Sequence, residues 1–166
     1  MTFLIDGYNL MHAVGLANQA MPPRQFERAR TKMLDWLADA SEGRADVLRV
    51  VFDFRDAPVA SSEITHRGVK VLFAFRRTAD DLIEDLIAGE PRPETLAVVS
   101  NDSRVREAGR RGHCAVFSSA EFIDWLLAKP QEGADAPRSP ETDKPTPNAA
   151  ETNELLQVFS KPKRKQ

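Results

Sequence analysis

The chain has 166 residues, 42% hydrophobic and 29% charged, which is enough apolar material for one buried core and excludes a chain disordered throughout. A formal net charge of −2 excludes the overall basicity of a protein that coats nucleic acid by charge alone, so such a partner must be met by local features. The one cysteine, Cys114, excludes an internal disulfide and a zinc-finger pattern.

In chain order, Phe3 to Ile5 is a short apolar run stopped by Asp6-Gly7, read as a buried strand followed by a turn. From Gln25 to Ala40 the apolar residues Phe26, Ala29, Met33, Trp36, Leu37 and Ala40 recur at helical spacing. Val47 to Phe52 forms a second strand ending at Asp53, and a polar stretch with Pro58, Ser61 and Ser62 leads to a third strand, Val69 to Phe73. Thr78 caps a helix whose inner face is Leu82, Ile83, Leu86 and Ile87, ended by Pro91 and Pro93. Thr95 to Val99 is a strand, Ser103 to Arg111 a helix closed by Gly112, Ala115 to Phe117 a fifth strand and Ser119 to Ala128 a last helix. Continuous apolar strands alternating with helices predict an α/β fold: a three-layer, Rossmann-like sandwich on a mainly parallel sheet of about five strands.

Six of the eleven prolines lie from Pro130 onward, where Leu155, Leu156, Val158 and Phe159 are the only large apolar residues. The expected organisation is a domain over 1–129 and a disordered, Pro-rich tail over 130–166. Within that tail Glu154 to Phe159 is a candidate docking helix, and Lys161-Pro162-Lys163-Arg164-Lys165 a basic end suited to phosphate or simply solvated. The lone cysteine, and a start with neither a basic segment nor a long apolar run, lead us to expect a cytoplasmic chain with no signal peptide or membrane span.

Ligands of parallel α/β sheets sit beyond the carboxyl ends of the strands, and the acids collect there. Asp6 ends the first strand, Asp53 the second, Asp80-Asp81 opens the helix after the third, and Asp102 follows the fourth. Several carboxylates at one edge repel one another unless a cation is shared, and hard oxygen donors suit Mg²⁺ or Mn²⁺. Each acid also has a structural use: a turn at Asp6, a helix cap at Asp102, a capping box with Thr78 at Asp81, a loop role at Asp53. Asn9 and Asn101 are candidates for orienting water or phosphate, or for local caps. Arg76-Arg77 and the helix bearing Arg104, Arg106, Arg110 and Arg111 offer phosphate contacts or a solvated surface, and Tyr8 and Phe54 offer stacking surfaces for bases. His12, His66 and His113 are scattered, and no serine or cysteine has companions for nucleophilic catalysis.

Leu4-Ile5-Asp6-Gly7-Tyr8-Asn9-Leu10, Val51-Phe52-Asp53, Thr78-Ala79-Asp80-Asp81-Leu82-Ile83 and Val98-Val99-Ser100-Asn101-Asp102 stand in the order and spacing of YacP-like NYN-domain proteins, which the chain resembles over residues 1 to 128. The resemblance implies a PIN-like nuclease fold, Mg²⁺ or Mn²⁺ dependence and endoribonuclease activity, with bacterial relatives acting on ribosome-associated messenger RNA. It further implies that Asp6, Asp80 or Asp81, and Asp102 hold the metal, with Asn9 assisting. One departure is Arg106, where some NYN nucleases carry a further acid; it leaves open one metal or two. Tyr8 stands where an aspartyl-nucleophile phosphohydrolase needs its second acid, and no phosphate-cradling glycine loop occurs. The alternatives are an RNA- or ribosome-binding adaptor that keeps the fold without catalysis, and a DNA-directed 5′-nuclease.

Overall fold

In a computed structural model the described residues, 1–18, 21–53 and 63–128, fold around one six-stranded sheet. The chain runs β1 (Thr2–Asp6), α1 (Gly7–Ala13), α2 (Pro23–Ala40), β2 (Val47–Asp53), β3 (Ile64–His66), β4 (Val69–Ala74), α3 (Ala79–Ala88), a 3₁₀ turn (Pro93–Thr95), β5 (Leu96–Val99), α4 (Ser103–Arg111), β6 (Ala115–Phe117) and α5 (Ser119–Leu127). The sheet order is β3-β4-β2-β1-β5-β6, parallel throughout except where the edge strand β3 runs against β4. From β1 the chain builds outward to β2 and β4 on one side, then returns to place β5 and β6 on the other. The direction of growth therefore reverses between β1 and β5, the crevice where such sheets take ligands.

Two apolar layers sandwich the sheet. Phe3, Ile5, Val50, Phe52, Val71 and Val99 face α1, α2 and α5, whereas Leu4, Val51, Leu72 and Val98 face α3 and α4. Phe3, Leu4 and Ile5 of the central strand are all fully buried, each contributing about 1.5–3 kcal/mol. Trp36 is buried and Trp125 packs on Phe3 and Phe122, both in core positions. No described helix is long and apolar enough to cross a membrane.

The three-layer, mainly parallel architecture matches the expectation, with two local corrections. Asp6-Gly7 is not a turn: the Asp6 carboxylate accepts from the Asn9 amide at 3.0 Å and caps α1, whose Leu10 and Met11, with Val14 just beyond, are fully buried. Glycine fits at position 7 because a Cβ there would lie 2.4 Å from the Phe52 ring. A sixth strand, β3, joins β4 through Arg67 (φ 48°) and Gly68 (φ 91°), the two left-handed positions of a tight hairpin. Phe54, Pro58, Ser61, Ser62 and the tail over 130–166, with its Glu154 to Phe159 segment and basic end, lie outside the described residues.

Candidate active site

Side chains alternate between the two faces of a strand, so residues i and i+2 share a face. On β1, Leu4 packs under α3 and α4, which puts Asp6 on that same face one step beyond the core; on β2, Val51 does the same for Asp53. Val98 places Ser100 there in turn, just past the end of β5. Helices α3 and α4 both begin at this carboxyl edge, bringing Asp80 in the first turn of α3 and Asp102 at the cap of α4.

Asp6 is almost wholly buried. Burial pushes its carboxyl above the ordinary value of 3.8, and hydrogen bonds donated by the Asn9 backbone, the Asn9 side chain and the Ser100 hydroxyl (3.1 Å) pull it back. The same Ser100 oxygen accepts from the Asp102 amide at 3.0 Å, so one hydroxyl ties the β1 carboxylate to the turn that carries Asp102. Sequence reasoning passed over Ser100; the available signal was a small polar residue closing the apolar run of β5, where the structure buries it completely.

Asp102 uses a single oxygen, Oδ1, to cap α4, accepting from the Arg104 amide at 2.8 Å and the Val105 amide at 3.2 Å, which leaves Oδ2 outside the cap. Asp53 accepts from the Ala79 amide at 2.6 Å and fastens the end of β2 to the start of α3. Asp80 is half-buried. Its carboxyl is pushed up to about 6, first by loss of solvation and then by the negative charges of Asp6, Asp102 and Asp53, with Arg104 acting in the opposite sense. Carboxylates from four separate segments thus share one electrostatic neighbourhood.

Several candidates are placed otherwise. Asp81 belongs to the helix cap: its amide donates to Thr78 Oγ1 at 3.2 Å, its Oδ2 faces the Thr78 amide at 3.4 Å, and its Oδ1 takes Arg104 Nη2 at 2.7 Å. Arg104, then Thr78, hold its carboxyl below the ordinary range. Of the adjacent pair, Asp80 joins the cluster and Asp81 does not. Arg104 also meets Glu84 Oε1 at 2.6 Å through Nε, so the Nε–Nη2 edge of its guanidinium is turned to α3. Arg77 is paired with Asp85. Arg76 is exposed at φ 56° with its guanidinium over Phe75. Asn101 accepts from the Ser119 amide at 2.9 Å and so serves the start of α5, whereas Asn9 serves Asp6 directly.

Among the described residues, no three His, Cys, Asp or Glu side chains stand close enough to grip a metal ion between them. The donors nevertheless suit a hard divalent cation: all are carboxylates, one with an oxygen outside its helix cap and one with its ionised form disfavoured by burial and by its acidic neighbours. Mg²⁺ normally takes one or two carboxylates and completes its shell with water and phosphate. A cavity lined by Arg44, Asp46 and Arg67 lies at the opposite edge, near the amino ends of β2 and β4.

The YacP-like NYN domain matches residues 3–163. The chain belongs to the YacP-like NYN family. The crystal structure of a tryptophan-to-leucine mutant of Rae1 (YacP) from Bacillus subtilis is similar to it at 26% identity and a TM-score of 0.57, over 75% of this chain and 74% of that one. A second crystal structure of Rae1 (YacP) from the same organism has 24% identity and a TM-score of 0.53, over 76% and 73%, a likeness of fold alone. No curated protein matches. NYN domains are nuclease-like, and the acid cluster of this YacP-like chain lies at the sheet edge where its fold places a ligand crevice.

Proposed function

We propose that this YacP-like NYN protein is a divalent-metal-dependent endoribonuclease that hydrolyses RNA phosphodiester bonds at the edge formed by Asp6, Asp80 and Asp102. The observation that carries the reading is Asp80, whose carboxyl is pushed up to about 6 in part by Asp6, Asp53 and Asp102: acids so gathered are at ease only when a cation joins them. Asp6, Asp80 and Asp102 would hold Mg²⁺ or Mn²⁺, with Asp53 beside them. When bound, such an ion lowers the pKa of a water and offsets charge growing on the diester. The protein's own part is to fix the donors before substrate arrives. Asn9 and Ser100 aim the Asp6 carboxylate, the cap geometry leaves Oδ2 of Asp102 available, and Asp53 anchors the helix that presents Asp80.

Ribosome-associated messenger RNA as substrate and a cytoplasmic setting belong to the same proposal, on the strength of the family resemblance. So does the division into a catalytic domain over 1–129 and a tail over 130–166 that localises it, although the family match runs on to residue 163. A second reading, an RNA- or ribosome-binding adaptor of the same fold, draws on the lack of a closed three-carboxylate set among the described residues.

Incubating single-stranded and structured RNA with Mg²⁺, Mn²⁺ or EDTA separates the two. The hydrolase reading expects metal-dependent internal cuts by the native protein and none by Asp6→Asn. RNA binding without cutting by either protein would favour the adaptor.

A further inference from the structure

Behind the acids, on the other face of the sheet, stands a cation for which the described residues supply no ion pair, only the longer-range charge of Glu27 on the same helix. Arg30 of α2 is half-buried, its guanidinium carbon 5.0 Å from the ring centre of Phe73 and 5.7 Å from that of Phe52. Those two rings are register partners on β4 and β2, one step before the Asp53–Ala74 pair. Arg30 therefore sits at almost the height of the acid cluster, with the sheet edge between them. Arg49, Arg67, Arg77 and Arg104 each have a carboxylate within ion-pair distance; among the described residues Arg30 has none. Withdrawing a guanidinium from water without a counter-ion is costly, and ring faces offset only part of that cost.

One helical turn before Arg30 is Phe26, whose ring lies 6.1 Å from Tyr8 and 33° from parallel to it. Tyr8 is the one exposed aromatic side chain among the described residues, 36% accessible, held edge-on by His12 at 4.6 Å. It follows Asp6 by two positions, and Gly7 between them rests on the Phe52 ring that Arg30 covers. Tyr8 and a guanidinium without an ion pair among the described residues thus lie on one side of the sheet near its acid edge, linked through Phe26 on the helix that carries Arg30 and through the Phe52 ring. A flat π surface beside a cation is what a base and its neighbouring phosphate require.

We propose that Tyr8, Phe26 and Arg30 form a nucleotide subsite for single-stranded RNA flanking the point of cleavage, the base stacking on Tyr8 and a phosphate reaching Arg30. This rests on RNA being the ligand of the acid edge, but not on its being cut.

The test uses the full chain carrying Asp80→Asn, so that bound RNA stays intact, and measures anisotropy of a labelled single-stranded RNA across a salt series. Each phosphate contact to a single strand adds about 0.7 to the slope of log affinity against log salt. Arg30→Met, which keeps the stem against the rings, is expected to lower that slope by about 0.7, and Arg30→Lys to restore it. Tyr8→Ala is expected to weaken binding at least roughly fivefold with the slope unchanged, as loss of one stacked base predicts, while Tyr8→Phe binds as the parent does. Melting curves of each variant confirm folding before binding is scored. The proposal is overturned if folded Arg30→Met keeps the parental slope, or if folded Tyr8→Ala keeps the parental affinity. Cleavage by the native chain is scored separately: a protein that binds as described yet never cuts refutes the hydrolase reading and leaves the subsite standing.

Discussion

The substitution Asp80→Asn removes a charge that burial and the neighbouring acids both disfavour. In the fold the Asp80 carboxyl is pushed up to about 6, against 3.8 for the unperturbed group. Because folding raises this pKa, the unfolded chain gives up its proton first as pH rises. The penalty is absent below about pH 4, grows through the interval up to about 6, and is complete above it. At about 1.4 kcal/mol per pKa unit the full shift corresponds to about 3 kcal/mol; screening by solvent at this half-exposed side chain reduces that to about 1–2 kcal/mol. Asparagine keeps the size and hydrogen-bonding capacity and discards the charge. In EDTA at pH 7.5 we therefore expect Asp80→Asn to melt about 4–8 °C above the native protein, taking roughly 4 °C per kcal/mol for a domain of this size. At pH 3.5 the two curves should nearly coincide. An equal or lower melting temperature at pH 7.5, or the same offset at both pH values, would refute the strained Asp80 charge as the cause.

Other perturbations test neighbouring parts of the account. Gly7→Ala drives a Cβ to 2.4 Å from the fully buried Phe52 ring and should cost about 1–3 kcal/mol, read as a lower urea midpoint at constant m-value; an unchanged midpoint would contradict the close approach. Arg104→Ala removes the cation that opposes the raised Asp80 carboxyl, so an NMR titration of Asp80 should move further up, whereas a fall would show that Arg104 is not felt there. Truncation after Lys129 should retain cooperative melting, since Arg44 already binds the Trp125 and Leu126 carbonyls at the end of α5; loss of the transition would mean that residues 130–166 complete the fold.

Strands β1, β2, β4 and β5 could be read directly from the sequence, because strands covered on both faces become unbroken apolar runs, and the edge where β1 and β2 end in Asp6 and Asp53 came with them. Helix α3 was equally readable through Thr78. Helix α1 was not: Asp-Gly is a common turn, and only the contact between Gly7 and Phe52, 45 residues apart, explains a glycine at the first position of a helix. Strand β3 has three residues, none fully buried, so it lacks the apolar signature of its neighbours. Between Asp80 and Asp81 the sequence already offered a structural use for Asp81 alone, the capping box with Thr78 that the fold contains, whereas the placement of Asp80 beside the other acids is set by tertiary packing. Arg104 read as a free surface cation because its partners Asp81 and Glu84 lie on another helix. Asn101 likewise needed the fold to reveal Ser119 as its donor.

The gathering of acids around one cation is tested most directly by anomalous scattering from Mn²⁺ soaked into crystals of the native protein. The account predicts a peak among Asp6, Asp80 and Asp102, with carboxylate oxygens from at least one of them at about 2.0–2.2 Å and water filling the remaining positions. A peak elsewhere on the molecule, or none under conditions where the protein cuts RNA, would contradict it.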